Sequence, residues 1–418
     1  MELKRVVITG LGAITPIGKN VDEYWASLLA GVSGAGPITI FDTSKFKTKF
    51  ACEVKDFDAR EYFDRKEVRK HDRYAQFGLI AAQQAIGDSG LLEDSSVDRN
   101  RVGVIWASGI GGLSTFHQSV TEFNKGDGTP RFNPFFIPKM IADIAAGHIS
   151  IKNGFRGPNF ATVSACASSA NALSDAFNYI RLGKAVAFVT GGSEAAITES
   201  GVGGFNAMHA ISTRNDDPQT ASRPFDKDRD GFVMAEGGGA VIFEELEHAV
   251  ARGAKIYAEV AGAGLSGDAH HMTSPHPEGL GAQLCMRAAI DDAEINPEDI
   301  DYINTHGTST PAGDIVEPKA IVSLFGEHAY NININSTKSM TGHLLGGAGA
   351  VESISTILSV QNDIVPPTIN HFTDDPEIDS KLNFTFLKAQ KRTVDFGLTN
   401  TFGFGGHNAS LIFKKFKK

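Results

Sequence analysis

Apolar and polar positions along the chain alternate between short buried runs and amphipathic stretches. Residues 5–10 (RVVITG) predict a short buried strand closed by a glycine turn. Residues 24–29 predict a helix, and residues 73–85 (RYAQFGLIAAQQA) carry apolar side chains at helical spacing. Residues 102–107 (VGVIWA) predict a strand that runs into Ser108-Gly109-Ile110-Gly111-Gly112. Residues 161–164 lead into a predicted helix that passes Tyr179 and stops at Gly183, a residue suited to a left-handed cap. Residues 185–190 (AVAFVT) predict the next strand, again ending in Gly-Gly. Strands alternating with helices define an α/β fold with buried sheets.

The second half repeats this order. Residues 255–264 (KIYAEVAGAG) echo the first strand and its glycines, and residues 300–304 followed by His306-Gly307-Thr308 echo VGVIWASG. Residues 336–347 and the small-residue helix predicted over 348–359 echo the segment around Cys166; residues 398–406 echo AVAFVTGG. Four elements in the same order, twice, predict an internal duplication. Its boundary falls near residues 250–254, giving halves 1–252 and 253–418. The first half is longer, and residues 114–140, with Phe132-Asn133-Pro134-Phe135-Phe136, read as an insertion.

Composition narrows the function classes. The 418 residues suit two packed halves rather than one core. Lys and Arg total 39 against 49 Asp and Glu, a net charge of −10 that argues against general nucleic-acid binding. No apolar run approaches the roughly 18–20 residues that span a bilayer, so no membrane partner is expected. The N-terminus lacks a charged start with an apolar core behind it, and three cysteines without CxxC spacing make no disulfide framework. A reducing, cytoplasmic location is expected.

Cys166 follows a predicted strand and is flanked by Ala165, Ala167, Ser168 and Ser169, small enough to let a ligand reach the sulfur. The helix that follows would aim its N–H groups and positive end at the thiol, lowering its pKa and favouring the nucleophilic thiolate. A lone cysteine is also commonly a buried, inert side chain, so the residues alone leave both readings open. Cys52 and Cys285 lack this setting and read as structural. His306 sits in NTHGTST directly after a strand, and His343 in KSMTGH directly before a glycine-rich helix start. Each alone reads equally well as a structural residue; two in strand-end loops are harder to dismiss. No HxxxH or HExxH pattern occurs, and adjacent His270 and His271 would not converge on one ion, so no metal is expected. Gly10-Leu11-Gly12 begins like a dinucleotide fingerprint. It lacks the third glycine, has Pro16 where the helix should continue, and has no acidic strand end about 20 residues on. Phe402-Gly403-Phe404-Gly405-Gly406 is either a tight turn with packed rings or a gate with an oxyanion donor.

Together these motifs have a family likeness. SACASS around Cys166, NTHGTST around His306, KSMTGHLLGGAGAVE around His343 and FGFGGHN near the C-terminus resemble the elongating β-ketoacyl-[acyl-carrier-protein] synthases of the thiolase superfamily. RVVITGLGAITPIG and residues 201–240 look like the same family, so the resemblance runs from about Arg5 to Lys415. It implies a duplicated thiolase-like fold in five layers, α/β/α/β/α, usually as a homodimer. The first half would carry the nucleophilic cysteine and the second both catalytic histidines.

By the same resemblance, Cys166 would take an acyl group as a thioester from acyl carrier protein. His306 and His343 would promote loss of carbon dioxide from malonyl carrier protein, and the resulting carbanion would attack the thioester. The N–H groups of Cys166 and Phe404 match the family's oxyanion hole, Lys338 a lysine that supports the histidines electrostatically, and Glu352 a structural acidic residue. Thr308 and Thr310 match positions that bind the pantetheine arm; no cofactor is implied. Ile110 with Phe205 resembles the synthase II type, where a bulky side chain gates a deep acyl pocket, with Phe402 beside it; synthase I and polyketide ketosynthases remain alternatives. Arg65, Lys66, Arg69 and Lys70 match a stretch that binds the acidic carrier protein, although a solvated helix face would look the same. His209 and Phe132 stand where relatives often have a basic residue, Thr305 where alanine is common, and His407 where threonine is common. A starter-type synthase would use Cys-His-Asn, a thiolase a second cysteine near the C-terminus, and a non-catalytic chain-length factor would lack Cys166; the chain fits none of these.

Overall fold

The computed structural model describes residues 3–417; Met1, Glu2 and Lys418, included in the two predicted halves, lie outside them. Ten strands form one mixed sheet: β1 (Val6–Ile14), β2 (Val102–Ala107), β3 (Asn159–Thr162), β4 (Ala187–Glu194), β5 (Gly237–Glu245), β6 (Ala258–Gly267), β7 (Tyr302–Asn304), β8 (Asn333–Asn335), β9 (Phe396–Gly403) and β10 (His407–Lys414). Their order is β8-β7-β9-β10-β6-β1-β5-β4-β2-β3. Outward from the central seam, β1-β5-β4-β2-β3 on one side matches β6-β10-β9-β7-β8 on the other. Strand directions match as well: β5 and β10 are antiparallel to both neighbours, while β2 and β7 are parallel to theirs. The seam itself is antiparallel, with Val6 opposite Val260 and Ile8 opposite Ala258.

Six helices complete the layers: α1 (Arg73–Ser89), α2 (Ile144–Asn153), α3 (Ser168–Arg181), α4 (Leu280–Asp292), α5 (Gly313–Phe325) and α6 (Ala348–Asn362). Helix α1 covers β1, β4 and β5 while α2 covers β2 and β3; α4 covers β6 and β10, with α5 against it. Helices α3 and α6 lie between, touching strands of both halves. The result is α/β/α/β/α. The sequence of α6 suits this central place, because AGAVESISTILSV has one charged residue, Glu352, among apolar, small and hydroxyl side chains, and all of residues 348–360 are buried.

Two expectations are corrected. The glycines of RVVITG and KIYAEVAGAG do not turn the chain; both strands continue, to Ile14 and Gly267. The glycines are there for close packing. A Cβ on Gly12 would meet Ala81 O of α1 at 2.0 Å, and one on Gly264 would meet Cys285 O of α4 at 2.0 Å. AVAFVT likewise extends through Gly191 and Gly192 to Glu194. The segment read as an insertion forms helices Leu113–Lys125 and Phe136–Met140, and Phe116, Phe123, Phe132, Phe135 and Ile137 on it are exposed. No helix among the described residues is long and apolar enough to cross a membrane.

Candidate active site

The chain leaves β3 and turns sharply before α3, and Cys166 stands in that turn. Ala165 takes a left-handed φ of 50°, an unfavourable conformation for a residue with a Cβ, and Ala167 N–H closes the turn on Ser164 O at 3.0 Å. The sulfur lies 3.0 Å from His343 Nε2, and the Phe404 N–H is close enough to draw the thiol pKa down. Gly403 permits that approach: a Cβ there would stand 2.8 Å from Ser164 O and 3.1 Å from Cys166 N. The expectation of a lowered thiol pKa is corrected. Burial pushes the Cys166 thiol up to about 12, outweighing the opposite pull of the Lys338 charge and the Phe404 N–H. The resting side chain is therefore the thiol.

His306 follows β7 in a loop whose shape is held by Glu317 of α5. The carboxylate accepts the N–H groups of His306 and Gly307, each at 2.9 Å, and the Asn400 amide at 3.2 Å. His343 is fixed by its own backbone, donating to Val233 O at 2.7 Å. The two imidazoles meet edge to face, with centroids 5.3 Å apart. Burial first, and the Lys338 cation second, hold both well below the usual histidine pKa, so both rings are neutral at pH 7. The Nδ1 atom of each is buried without a hydrogen-bond partner among the described residues. Lys338, itself buried, pairs with the Glu352 carboxylate, which burial raises to about 7. Lys338 does not line the cavity that the histidines line.

A cavity of about 490 Å³ opens onto these groups, and Cys166, His306, His343 and Phe404 line it. Ile110, Phe205 and Phe402 line it too, and Phe205, Phe232 and Leu345 form one apolar cluster with Cys166. Thr308 and Thr310 contribute hydroxyls 3.1 Å apart to the same wall. Gly405 and Gly406 turn back with φ of 88° and 73°, and Gly405 N–H donates to Met272 O at 2.7 Å. His209 is on the wall, Phe132 is exposed, His407 packs beneath Gly405, and the Thr305 hydroxyl donates to Asn335 O. Arg65, Lys66, Arg69 and Lys70 are elsewhere, exposed on a short helix (Arg65–Lys70) closed by an Asp64–Glu67 capping box. Among the described residues no group of three His, Cys, Asp or Glu side chains could hold a metal ion.

Among the buried carboxylates that the sequence does not reveal, three stand around this site. Asp314 and Glu317 sit on the inner face of α5, and Glu194 ends β4; burial raises Asp314 to about 6 and the other two to about 7. An available signal was position: a charged residue closing an otherwise buried strand, and two acids three apart in line with Ile321 and Phe325.

A repeated half-fold in five layers, with one cysteine and two histidines converging on its cavity, is a thiolase-like condensing architecture. The family model "Beta-ketoacyl synthase, N-terminal domain" matches residues 3–249, and "Beta-ketoacyl synthase, C-terminal domain" matches residues 257–372. The chain belongs to the beta-ketoacyl synthase family. It is 50% identical over 417 residues to a 3-oxoacyl-[acyl-carrier-protein] synthase 2 of Synechocystis sp., covering 100% of this chain and 99% of the relative. A protein of the same name from Staphylococcus aureus is 48% identical, with 99% of each chain covered. Among solved structures, a beta-ketoacyl synthase from Burkholderia phymatum superposes with a TM-score of 0.91 at 33% identity, covering 99% of this chain and 100% of that one. A ketosynthase in complex with its type II polyketide acyl-carrier protein gives the same score, identity and coverage.

Proposed function

We propose that the protein elongates fatty acids by decarboxylative condensation of malonyl-acyl carrier protein with an acyl group held on Cys166. The observation that carries this reading is the sulfur 3.0 Å from one neutral imidazole, with a second imidazole edge-on to the first across the same cavity. In the first step Cys166 attacks the thioester of acyl carrier protein. Its proton ends on the departing carrier thiolate while His343 Nε2–H donates to the sulfur, leaving an acylated cysteine and a free carrier thiol. The oxyanion formed on the way is held by the N–H groups of Cys166 and Phe404.

In the second step malonyl carrier protein takes the carrier's place. Its carboxylate leaves as carbon dioxide, and the bonding electron pair stays as a thioester enolate. Two neutral imidazoles each offer one N–H to the enolate oxygen, which explains why burial and Lys338 keeping them uncharged matters: an imidazolium would hold the malonyl carboxylate as an ion pair and oppose its loss. The enolate carbon then attacks the acyl-Cys166 carbonyl, a carbon–carbon bond forms, the carbon–sulfur bond breaks, and Cys166 leaves as the thiolate and takes a proton from solvent. The product is 3-oxoacyl-acyl carrier protein. Thr308 and Thr310 would bind the pantetheine arm, Ile110, Phe205 and Phe402 the acyl chain, and Arg65, Lys66, Arg69 and Lys70 the acidic carrier.

The names of the most similar relatives favour the synthase II type over synthase I or a polyketide enzyme. Residues 1–252 and 253–418 act as the two halves of one duplicated unit, the first supplying the nucleophile and the second the histidines. A homodimer agrees with the exposed phenylalanines of the insertion and with β3 being an open sheet edge carrying exposed Val163 beyond it. A cytoplasmic location goes with carrier-borne substrates. Cys166→Gln tests the division of labour, because the amide mimics an acylated cysteine. Malonyl decarboxylation should persist while condensation disappears; loss of both to the same extent would refute a separate histidine site.

A further inference from the structure

Glu194 is wholly buried at the end of β4, and the mechanism above makes no use of it. Its carboxylate accepts the Ser108 hydroxyl at 2.9 Å, Gly109 N–H at 2.7 Å and Ile110 N–H at 3.3 Å. From the opposite side it accepts Gly346 N–H at 3.1 Å. The Ser108 hydroxyl in turn accepts Gly111 N–H at 2.9 Å. One carboxylate thus gathers two loops. The first carries Ile110 on the cavity wall; the second follows His343 and carries Leu345, in the apolar cluster with Cys166.

The packing leaves no slack. A Cβ on Gly346 would meet Gly109 N at 2.1 Å, and one on Gly109 would meet Ala165 O, next to the nucleophile, at 3.3 Å. Burying a carboxylate is costly unless its oxygens are satisfied, and here four donors converge on it. An amide could not take its place, since its own N–H groups would face those donors. We propose that Glu194 is a positioning residue that fixes Ile110 against the cavity and thereby limits the length of acyl chain the enzyme accepts. This rests on reading the cavity as the acyl pocket.

The test compares kcat/KM for acyl transfer from long-chain and short-chain acyl carrier proteins, as a ratio, in wild type, Glu194→Gln, Ile110→Ala and the double variant. A ratio within one preparation is unaffected by a loss of folded fraction. Glu194→Gln should raise the long-to-short ratio about tenfold, and that effect should vanish in the Ile110→Ala background, as coupled neighbours require. An equal effect in both backgrounds, or none in folded Glu194→Gln, overturns the proposal while leaving the pocket reading intact. An unchanged ratio in Ile110→Ala alone overturns the pocket reading and the proposal with it. Should Glu194→Gln fail to fold, Ser108→Ala removes one donor from the same brace; it should give a smaller rise, again absent without Ile110, and no rise overturns the proposal.

Discussion

Gly403→Ala probes the proposed oxyanion hole apart from the rest of the site. The new Cβ would lie 2.8 Å from Ser164 O, 3.1 Å from Cys166 N and 3.2 Å from Ala167 N, whereas ordinary contacts begin at 3.4 Å. The strand leading to Phe404 must therefore retreat from the Cys166 turn by about 0.6 Å, the difference between 3.4 and 2.8 Å. The Phe404 N–H, whose nearness draws the thiol pKa down, moves with it. Loss of one oxyanion donor costs about 100- to 1000-fold in rate, and a 1 Å misplacement about 100-fold. For a displacement of this size we expect condensation to fall about 10- to 100-fold, a barrier increase of about 1.4–2.7 kcal/mol. His306 and His343 take their backbone anchors from Glu317 and Val233 rather than from the Gly403 strand, so malonyl decarboxylation should stay within about threefold of wild type. The assay follows radiolabelled carbon dioxide release and 3-oxoacyl product separately on one preparation. Condensation at the wild-type rate would refute the oxyanion role of Phe404; an equal fall in decarboxylation would refute the separation of the two sites.

Lys338→Met removes a cation that, after burial, is the next cause holding both histidines below their usual pKa. Their pKa values should rise, so the acid limb of the decarboxylation profile should move to higher pH. The orphaned Glu352 should cost about 3–5 kcal/mol of stability. Adding Glu352→Leu should recover stability in denaturant titration without restoring the profile; a restored profile would show that Lys338 acts only structurally. In the native protein the histidines bind protons less readily than in the unfolded chain. Their contribution to stability is present above about pH 6.5 and is lost as pH falls toward their lowered native values, so replacing both by Gln should flatten the low-pH loss of Tm. Charge reversal at Lys66 and Arg69 should raise KM for acyl carrier protein at low salt and shrink its salt dependence, with kcat little changed; an unchanged KM would leave that helix a solvated face.

Much of this was legible in the chain. The repeated order of strand, glycine, loop and helix is local, and it reappears as two matching half-sheets about the β1–β6 seam. Cys166 and His306 could be singled out because each stands in a short segment just past a strand, and His343 because it directly precedes a glycine-rich helix start. Long-range packing could not be read. The glycines of VTGGSE look like a turn because glycine usually marks one, yet a Cβ on Gly192 would strike Ser169 of α3 at 2.8 Å, so they are flat places beneath a helix. Glu194 looks like a surface acid, but its partners lie 84–152 residues away in sequence. The thiol pKa was misjudged for the same reason: the approaching helix was visible in the sequence, and the burial that outweighs it was not.

The central claim is the reaction itself, and product mass tests it most directly. Purified protein is mixed with acyl carrier proteins of graded chain length and with malonyl carrier protein. A 3-oxoacyl carrier protein longer than the donor by one two-carbon unit should form with Cys166 and be absent with Cys166→Ala. Product formed at the wild-type rate by Cys166→Ala, or no product from folded wild type with donors of any length, would contradict that claim.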